Sequence, residues 1–161
     1  DFIGIALKAM QEIAPELVKP TRKLDTDYSG QYDFFLDGEI RIEVKASRAV
    51  DFDSRDALYV KALSSDSEKR FDMNFQQVKP GCCDVFVWVG VWRDVIRYWV
   101  LSSNEVATNK YYSTGQHRGN TGEGQIHLKA DNIKEFETYE SRARDLIENI
   151  RAAYKRQMQA A

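Results

Sequence analysis

The chain has 161 residues, of which 43% are hydrophobic and 30% are charged, and its net charge is −2. These values are typical of one globular domain with a single core. No run of about 18 apolar residues is present, which excludes a membrane-spanning helix. The small net charge neither indicates nor excludes a nucleic-acid partner, because it hides how the charges are distributed.

We expect no secretory signal, since no basic start is followed by an apolar middle segment. Cys82 and Cys83 are adjacent, and neighbouring cysteines rarely form a disulfide because its geometry would be strained. Their spacing does not suggest zinc either. The sequence therefore predicts packing thiols, buried and unpaired, and a cytoplasmic location.

Residues 2–13 are predicted to form a helix, because apolar residues recur there with helical spacing and Pro15 follows. The apolar positions are Phe2, Ile5, Ala6, Ala9, Met10 and Ile13. Residues 16–30 contain proline, aspartate, serine and glycine and are predicted to form a loop.

Residues 32–48 are predicted to form a β-hairpin, because two apolar-rich runs meet at the turn signal Asp37-Gly38. In the second run an apolar set alternates with a polar one: Ile40, Ile42, Val44 and Ala46 with Arg41, Glu43, Lys45 and Ser47. Residues two apart on a strand share a face, so Glu43 and Lys45 project from the same side.

The position of Asp33 depends on the length of the turn. A two-residue loop would set Asp33 opposite Ile42, on the wrong face. A loop one residue longer, or a β-bulge, would set it opposite Glu43 and would place Phe34 and Leu36 over the apolar side. Burial favours the second arrangement, in which the Cβ atoms of the two acids lie about 5 Å apart.

Residues 67–78 are predicted to form a helix, since Phe71, Phe75 and Val78 follow one another at spacings of four and three, and Pro80 ends the segment. Residues 84–92 and 95–101 are predicted to form a second hairpin inside a sheet, because they are rich in β-branched and aromatic residues. The three tryptophans are assigned to the core.

The remaining segments are predicted in turn. Ser102 to Glu105 is a capping box that opens a helix running to about Lys110. Residues 125–129 alternate as a strand, Asn132 begins a helical region, and residues 141–159 form an amphipathic helix. Its apolar stripe consists of Leu146, Ile147, Ile150, Ala153 and Tyr154.

The first hairpin resembles the PD-(D/E)xK nuclease superfamily, with Asp33, Glu43 and Lys45 matching the aspartate, the glutamate and the lysine of its motif. Tyr32 stands where the motif has proline. The resemblance implies an α/β, restriction-endonuclease-like single domain over residues 1–161, with a central mixed β-sheet flanked by helices. The alternative is a solvated sheet face that carries one ion pair.

The resemblance also implies a site for Mg²⁺, which Mn²⁺ can replace. Asp33, Glu43 and the carbonyl of Val44 would hold the cation, and Lys45 would orient or help to deprotonate the attacking water. Glu12 is the candidate for an additional acid from the first helix, with a solvated surface glutamate as the alternative. Gln77 would steady the lysine or the water, unless it is a surface residue.

Five residues are predicted to contact DNA: Ser47, Arg48, Gln116, His117 and Arg118. The last three lie in the glycine-containing segment 111–125 and offer groups that read base edges or hold phosphates. A solvent loop without a partner is the alternative.

The expected function is that of a type II restriction endonuclease, which cleaves double-stranded DNA as a homodimer. Three alternatives stay open. The chain could be a catalytically silent DNA-binding or assembly module of the same fold, a Holliday-junction or repair nuclease, or a plain structural domain.

Overall fold

In this computed structural model, residues 2–114 and 122–160 are described. The helices are α1 (Phe2–Ile13), α2 (Leu58–Lys61), α3 (Ser103–Ala107) and α4 (Leu146–Ala160). The strands are β1 (Phe34–Leu36), β2 (Ile40–Arg48), β3 (Val50–Asp51), β4 (Phe71–Val78), β5 (Val85–Val91), β6 (Ile96–Ser102), β7 (Ser113–Thr114), β8 (Gly124–Lys129) and β9 (Glu140–Ser141). Short 3₁₀ helices cover Pro80–Cys82, Ile133–Tyr139 and Ala143–Asp145.

The strands of the described ranges form two sheets. The first has the order β1-β2-β5-β6-β9 and is mixed, since β2 and β5 run parallel while the other pairs are antiparallel. The second has the order β3-β4-β8-β7 and is antiparallel. The protein is therefore a mixed α/β domain, as the sequence predicts at that level.

The two faces of the mixed sheet are covered differently. Apolar residues of α1 and α4 pack on one face, against Ile42, Val44 and Val87. On the other face, Phe86 and Trp88 belong to a cluster that includes the second sheet, Val106 of α3 and Phe136 of a 3₁₀ helix. The two long helices, α1 and α4, thus flank one side only, and the second sheet with the short α3 covers the other.

The first hairpin has the register that burial favours. Phe34 pairs with Ile42 and Leu36 pairs with Ile40, which leaves a three-residue loop at positions 37–39. Asp37 and Gly38 both adopt positive φ angles, of 57° and 69°. Continuing this register by one residue sets Asp33 opposite Glu43.

The helix predicted over residues 67–78 is wrong, because this segment contains β4. Phe71, Met73 and Phe75 alternate toward the core, which is the period of a strand. A bulge after Phe75 then adds one residue, so that Val78 returns to the buried face three positions later. Because of the bulge, Phe71, Phe75 and Val78 have the sequence spacing of a helix although they lie on a strand.

Most other predicted elements are confirmed. Helix α1 and strands β5, β6 and β8 occupy the predicted segments, whereas α4 begins at Leu146, five residues later than predicted. All three tryptophans are buried. Ser102 and Glu105 form the capping box, although α3 ends at Ala107 instead of near Lys110. Among the described residues, no helix is both long and apolar enough to cross a membrane.

The polar loop before the hairpin is anchored to it. The carboxylate of Asp25 is buried, accepts a hydrogen bond of 2.6 Å from the Tyr32 hydroxyl, and lies 2.9 Å from Nε of Arg41 on β2. Tyr32 therefore fixes this loop against the strand that carries Glu43 and Lys45.

Candidate active site

Three side chains of the first hairpin line one cleft of about 390 Å³: Asp33, Glu43 and Lys45. Asp33 precedes β1, and its main-chain N–H donates to the carbonyl of Ile42 at 2.9 Å. Glu43 and Lys45 lie on the same side of β2, where the ammonium nitrogen is 3.8 Å from Oε2 of the glutamate. Their side chains are only 17% and 19% exposed, so water screens this group of charges incompletely.

The main chain of Val44 completes the oxygen set of the cleft. The N–H and C=O of one strand residue point to the same side of the strand, and those of its neighbours point to the other side. The Val44 N–H donates to Oδ2 of Asp33 at 2.7 Å. The Val44 carbonyl therefore faces the same open side of β2, next to the Asp33 carboxylate.

The environment of Glu43 favours its protonated form. Burial raises the pKa of Glu43 to about 9, with further contributions from the hydrogen bond and the negative charge of Asp33, while Lys45 opposes the shift. At neutral pH the glutamate therefore keeps its proton. A bound cation would reverse this balance, because positive charge favours the carboxylate form.

Lys45 is held from the second sheet. Its ammonium group donates to the main-chain carbonyl of Gln77 at 3.0 Å. Gln77 lies in the bulge of β4 and has a positive φ of 54°. The backbone of Gln77 thus contacts the lysine from a strand, whereas the sequence proposed a helical residue that acts through its polar side chain; Gln77 itself is exposed.

A cysteine borders the same cleft. Sγ of Cys82 lies 4.0 Å from Oε2 of Glu43. Both cysteines are free, as predicted; Cys83 is buried, but Cys82 is only partly so. A hydrogen bond with Cys83 lowers the pKa of the Cys82 thiol. Sequence reasoning missed this neighbour, because the contact depends on the parallel pairing of β5 with β2, which places the start of β5 beside Glu43.

Glu12 is not brought to this cleft. Ile3, near the start of α1, lines the cleft, whereas Glu12 is exposed near the end of the helix. Nine helical residues separate the two by about 13 Å. The polar set of the cleft therefore comes from the hairpin and from β4.

The residues predicted to contact DNA divide into two groups. Ser47 and Arg48 line a second cleft that adjoins the first. Gln116, His117 and Arg118 lie outside the described residues.

The donor set of the first cleft suits a hard divalent cation. Two carboxylates and one main-chain carbonyl are oxygen ligands of the kind that Mg²⁺ prefers, and Mg²⁺ commonly keeps several waters. Within residues 2–114 and 122–160, no group of three or more His, Cys, Asp and Glu side chains is placed to hold a metal ion. The fit therefore depends on two side chains and the backbone of Val44.

No protein-family model, no curated protein and no solved structure matches this chain. Its function is therefore inferred from the site and from the resemblance of the hairpin sequence.

Proposed function

We propose that the protein is a metal-dependent DNA endonuclease of the PD-(D/E)xK type. The observation that carries this proposal is the placement of Asp33, Glu43 and Lys45 in one cleft, with the Val44 carbonyl directed to the same side. We propose in addition that the mixed α/β domain has a restriction-endonuclease-like fold. A mixed sheet whose second strand carries Glu43 and Lys45 supports it.

Asp33, Glu43 and the carbonyl of Val44 are the groups that would hold Mg²⁺ or Mn²⁺. When bound, such a cation lowers the pKa of a water molecule and offsets negative charge that develops on the phosphate. Glu43 must give up its proton to act as a ligand, so cation binding and proton release are coupled. Cation binding should therefore strengthen as the pH rises.

Lys45 acts as a positioned donor. One N–H of its ammonium group is engaged by the Gln77 carbonyl at 3.0 Å. A lysine has three N–H donors, so the others can orient the attacking water and donate to a phosphate oxygen. By the resemblance to the superfamily, the 3′ oxygen leaves and a 5′-phosphate end remains.

The sequence suggests a narrower hypothesis, in which a homodimer cleaves double-stranded DNA as a type II restriction endonuclease. The loop residues that prompted it are Gln116, His117 and Arg118, which lie outside the described residues. What the described residues support is the reaction itself, hydrolysis of a phosphodiester bond.

The test is nicking of supercoiled plasmid with Mg²⁺ or Mn²⁺, and again with a chelator. We expect cleavage that the chelator abolishes, and a loss of roughly 100-fold or more in Lys45→Ala and Glu43→Gln, as is common when one positioned group is removed. Glu148→Gln and Lys155→Ala are matched controls, because both residues are exposed on α4 and line neither cleft.

Two results would contradict the proposal. Full activity of purified, folded Lys45→Ala or Glu43→Gln would remove these residues from the reaction. A wild-type protein that shifts DNA on a gel equally with metal or with chelator, but never nicks it, would instead be the silent binding module.

A further inference from the structure

The candidate active site continues into a longer groove. The second cleft has a volume of about 410 Å³ and shares Ala46, Asn74 and Gln76 with the first. We call the two clefts together the β2 groove, because both follow β2 from Glu43 to Arg48. These five steps along a strand correspond to about 16 Å.

The β2 groove exists because one edge of β2 is unpaired. Strand β1 pairs only with residues Ile40 to Ile42, so beyond Ile42 this edge has no neighbouring strand among the described residues. Phe2 and Ile3 of α1 border the groove on one side, and Asn74 and Gln76 of β4 border it on the other. The groove is therefore a channel with backbone groups along its floor.

The second half of the groove carries positive charge that is not neutralised within the described part of the chain. Arg48 and Lys61 line it, and neither has an acidic partner there within 4.0 Å. The one acid that lines this half, Asp72, is engaged with Nδ1 of His127 at 2.8 Å. Together with Lys45, this arrangement gives three cations along one path in a chain whose net charge is −2.

Two further groups in the groove suit nucleotide bases. The guanidinium of Arg48 lies 4.2 Å from the centre of the Phe2 ring, and flat groups of this kind stack with bases. The carboxamide of Asn74, at the junction of the two clefts, has a buried Oδ1 without a hydrogen-bond partner in the described residues. Asn74 lines both clefts, so a turn of its carboxamide toward the groove would present this oxygen to an unpaired base edge, whereas a duplex conceals its pairing edges.

Building on the proposed nuclease function, we propose that the β2 groove binds a single-stranded segment of DNA next to the scissile phosphate. Each cleft has the size of a pocket for one small ligand, about 300–1,000 Å³. Each cleft could therefore hold one nucleotide of a single strand. Duplex binding commonly uses about 6–10 phosphate contacts, whereas this groove supplies three cations. The preferred substrate is therefore single-stranded DNA, or a duplex with a single-stranded end, rather than the intact duplex that the hypothesis from the sequence assumes.

The test measures fluorescence anisotropy of a labelled oligonucleotide in chelator, so that binding occurs without cleavage. The same sequence is presented as a single strand, as a blunt duplex and as a duplex with a single-stranded overhang. Wild type, Lys61→Ala, Arg48→Ala and the control Lys155→Ala are compared at salt concentrations from about 50 to about 200 mM.

We expect the single strand and the overhang to bind at least about tenfold more tightly than the blunt duplex. Three phosphate contacts predict a salt slope of about −2 for a single strand, which is a loss of about 15-fold over this range. Lys61→Ala and Arg48→Ala should each reduce the slope to about −1.4, while Lys155→Ala should keep the wild-type value.

Blunt duplex that binds as tightly as the single strand would overturn the inference, and so would a Lys61→Ala slope equal to that of Lys155→Ala. These failures are distinguishable from failure of the nuclease proposal. Cleavage with Mg²⁺ that shows no preference for a single strand contradicts only the groove, whereas single-strand binding without cleavage of either plasmid or single-stranded oligonucleotide in Mg²⁺ contradicts only the reaction.

Discussion

Replacing Glu43 by glutamine should change how stability depends on pH. The pKa of Glu43 is raised from an ordinary value of 4.5 to about 9, first by burial and then by Asp33. Between these values the folded protein holds a proton that the unfolded chain releases. Ionisation therefore favours the unfolded chain, and the free energy of unfolding falls as the pH rises through this window.

The size of the effect follows from the shift. At 1.36 kcal/mol per pH unit, the full shift corresponds to an upper limit of about 6 kcal/mol. The Glu43 side chain retains 17% exposure and lies 3.8 Å from Lys45. Solvent screening therefore reduces the effect, and we expect roughly half of the upper limit, about 3 kcal/mol. Glutamine does not ionise, and its amide can still donate to Asp33. Glu43→Gln should thus gain about 3 kcal/mol over wild type at alkaline pH and little near pH 5.

The assay is urea denaturation in chelator at about pH 5, 7 and 9, with Glu148→Gln as the exposed control. The difference between Glu43→Gln and wild type should grow with pH, whereas the control difference should stay constant. Adding Mg²⁺ at the highest pH should stabilise wild type more than Glu43→Gln. Parallel pH profiles for wild type and Glu43→Gln would refute the reasoning about the Asp33–Glu43 pair.

Three further changes have defined outcomes. Gly90→Ala should destabilise the protein by about 1–3 kcal/mol in urea denaturation, because overpacking strains a core and the added Cβ would lie 2.7 Å from Met73 Sδ; an unchanged midpoint would contradict this packing. Ser102→Ala should lower the free energy of unfolding by about 1 kcal/mol, through loss of the cap that accepts from the Glu105 N–H, and Ser102→Thr should restore much of it. N-ethylmaleimide should abolish plasmid nicking by wild type but not by Cys82→Ala, because the adduct forms 4.0 Å from Glu43; equal inactivation of both would point to another thiol or amine.

The parts of this fold that the sequence predicts correctly are those in which a single periodic pattern decides the structure. The register of the first hairpin follows from burial alone, because a shift by one residue would expose Phe34 and Leu36, which are at most 2% exposed. The amphipathic stripe of α4 and the apolar run of β5 are equally direct.

Prediction from the sequence fails where a local irregularity alters the spacing of apolar residues along a strand. It also fails where a side chain contacts a backbone group. The bulge at Gln76 and Gln77 gives β4 the spacing of a helix, and the second sheet was missed for this reason. Lys45 meets the carbonyl of Gln77, a group that every residue carries, so residue type gives no signal. The approach of Cys82 to Glu43 requires the parallel pairing of β2 with β5, which is a long-range property of the fold.

The pairing of β4 with β8 also has a consequence for the order in which the chain assembles. Asp72 and His127 meet although they lie 55 positions apart, and such distant pairing slows folding relative to local contacts. A chain still emerging from the ribosome would possess Asp33, Glu43 and Lys45 well before β8 exists to support the wall that holds the lysine. The proposed site should therefore be complete only when synthesis has passed residue 129, and a half-made copy should lack the support for Lys45.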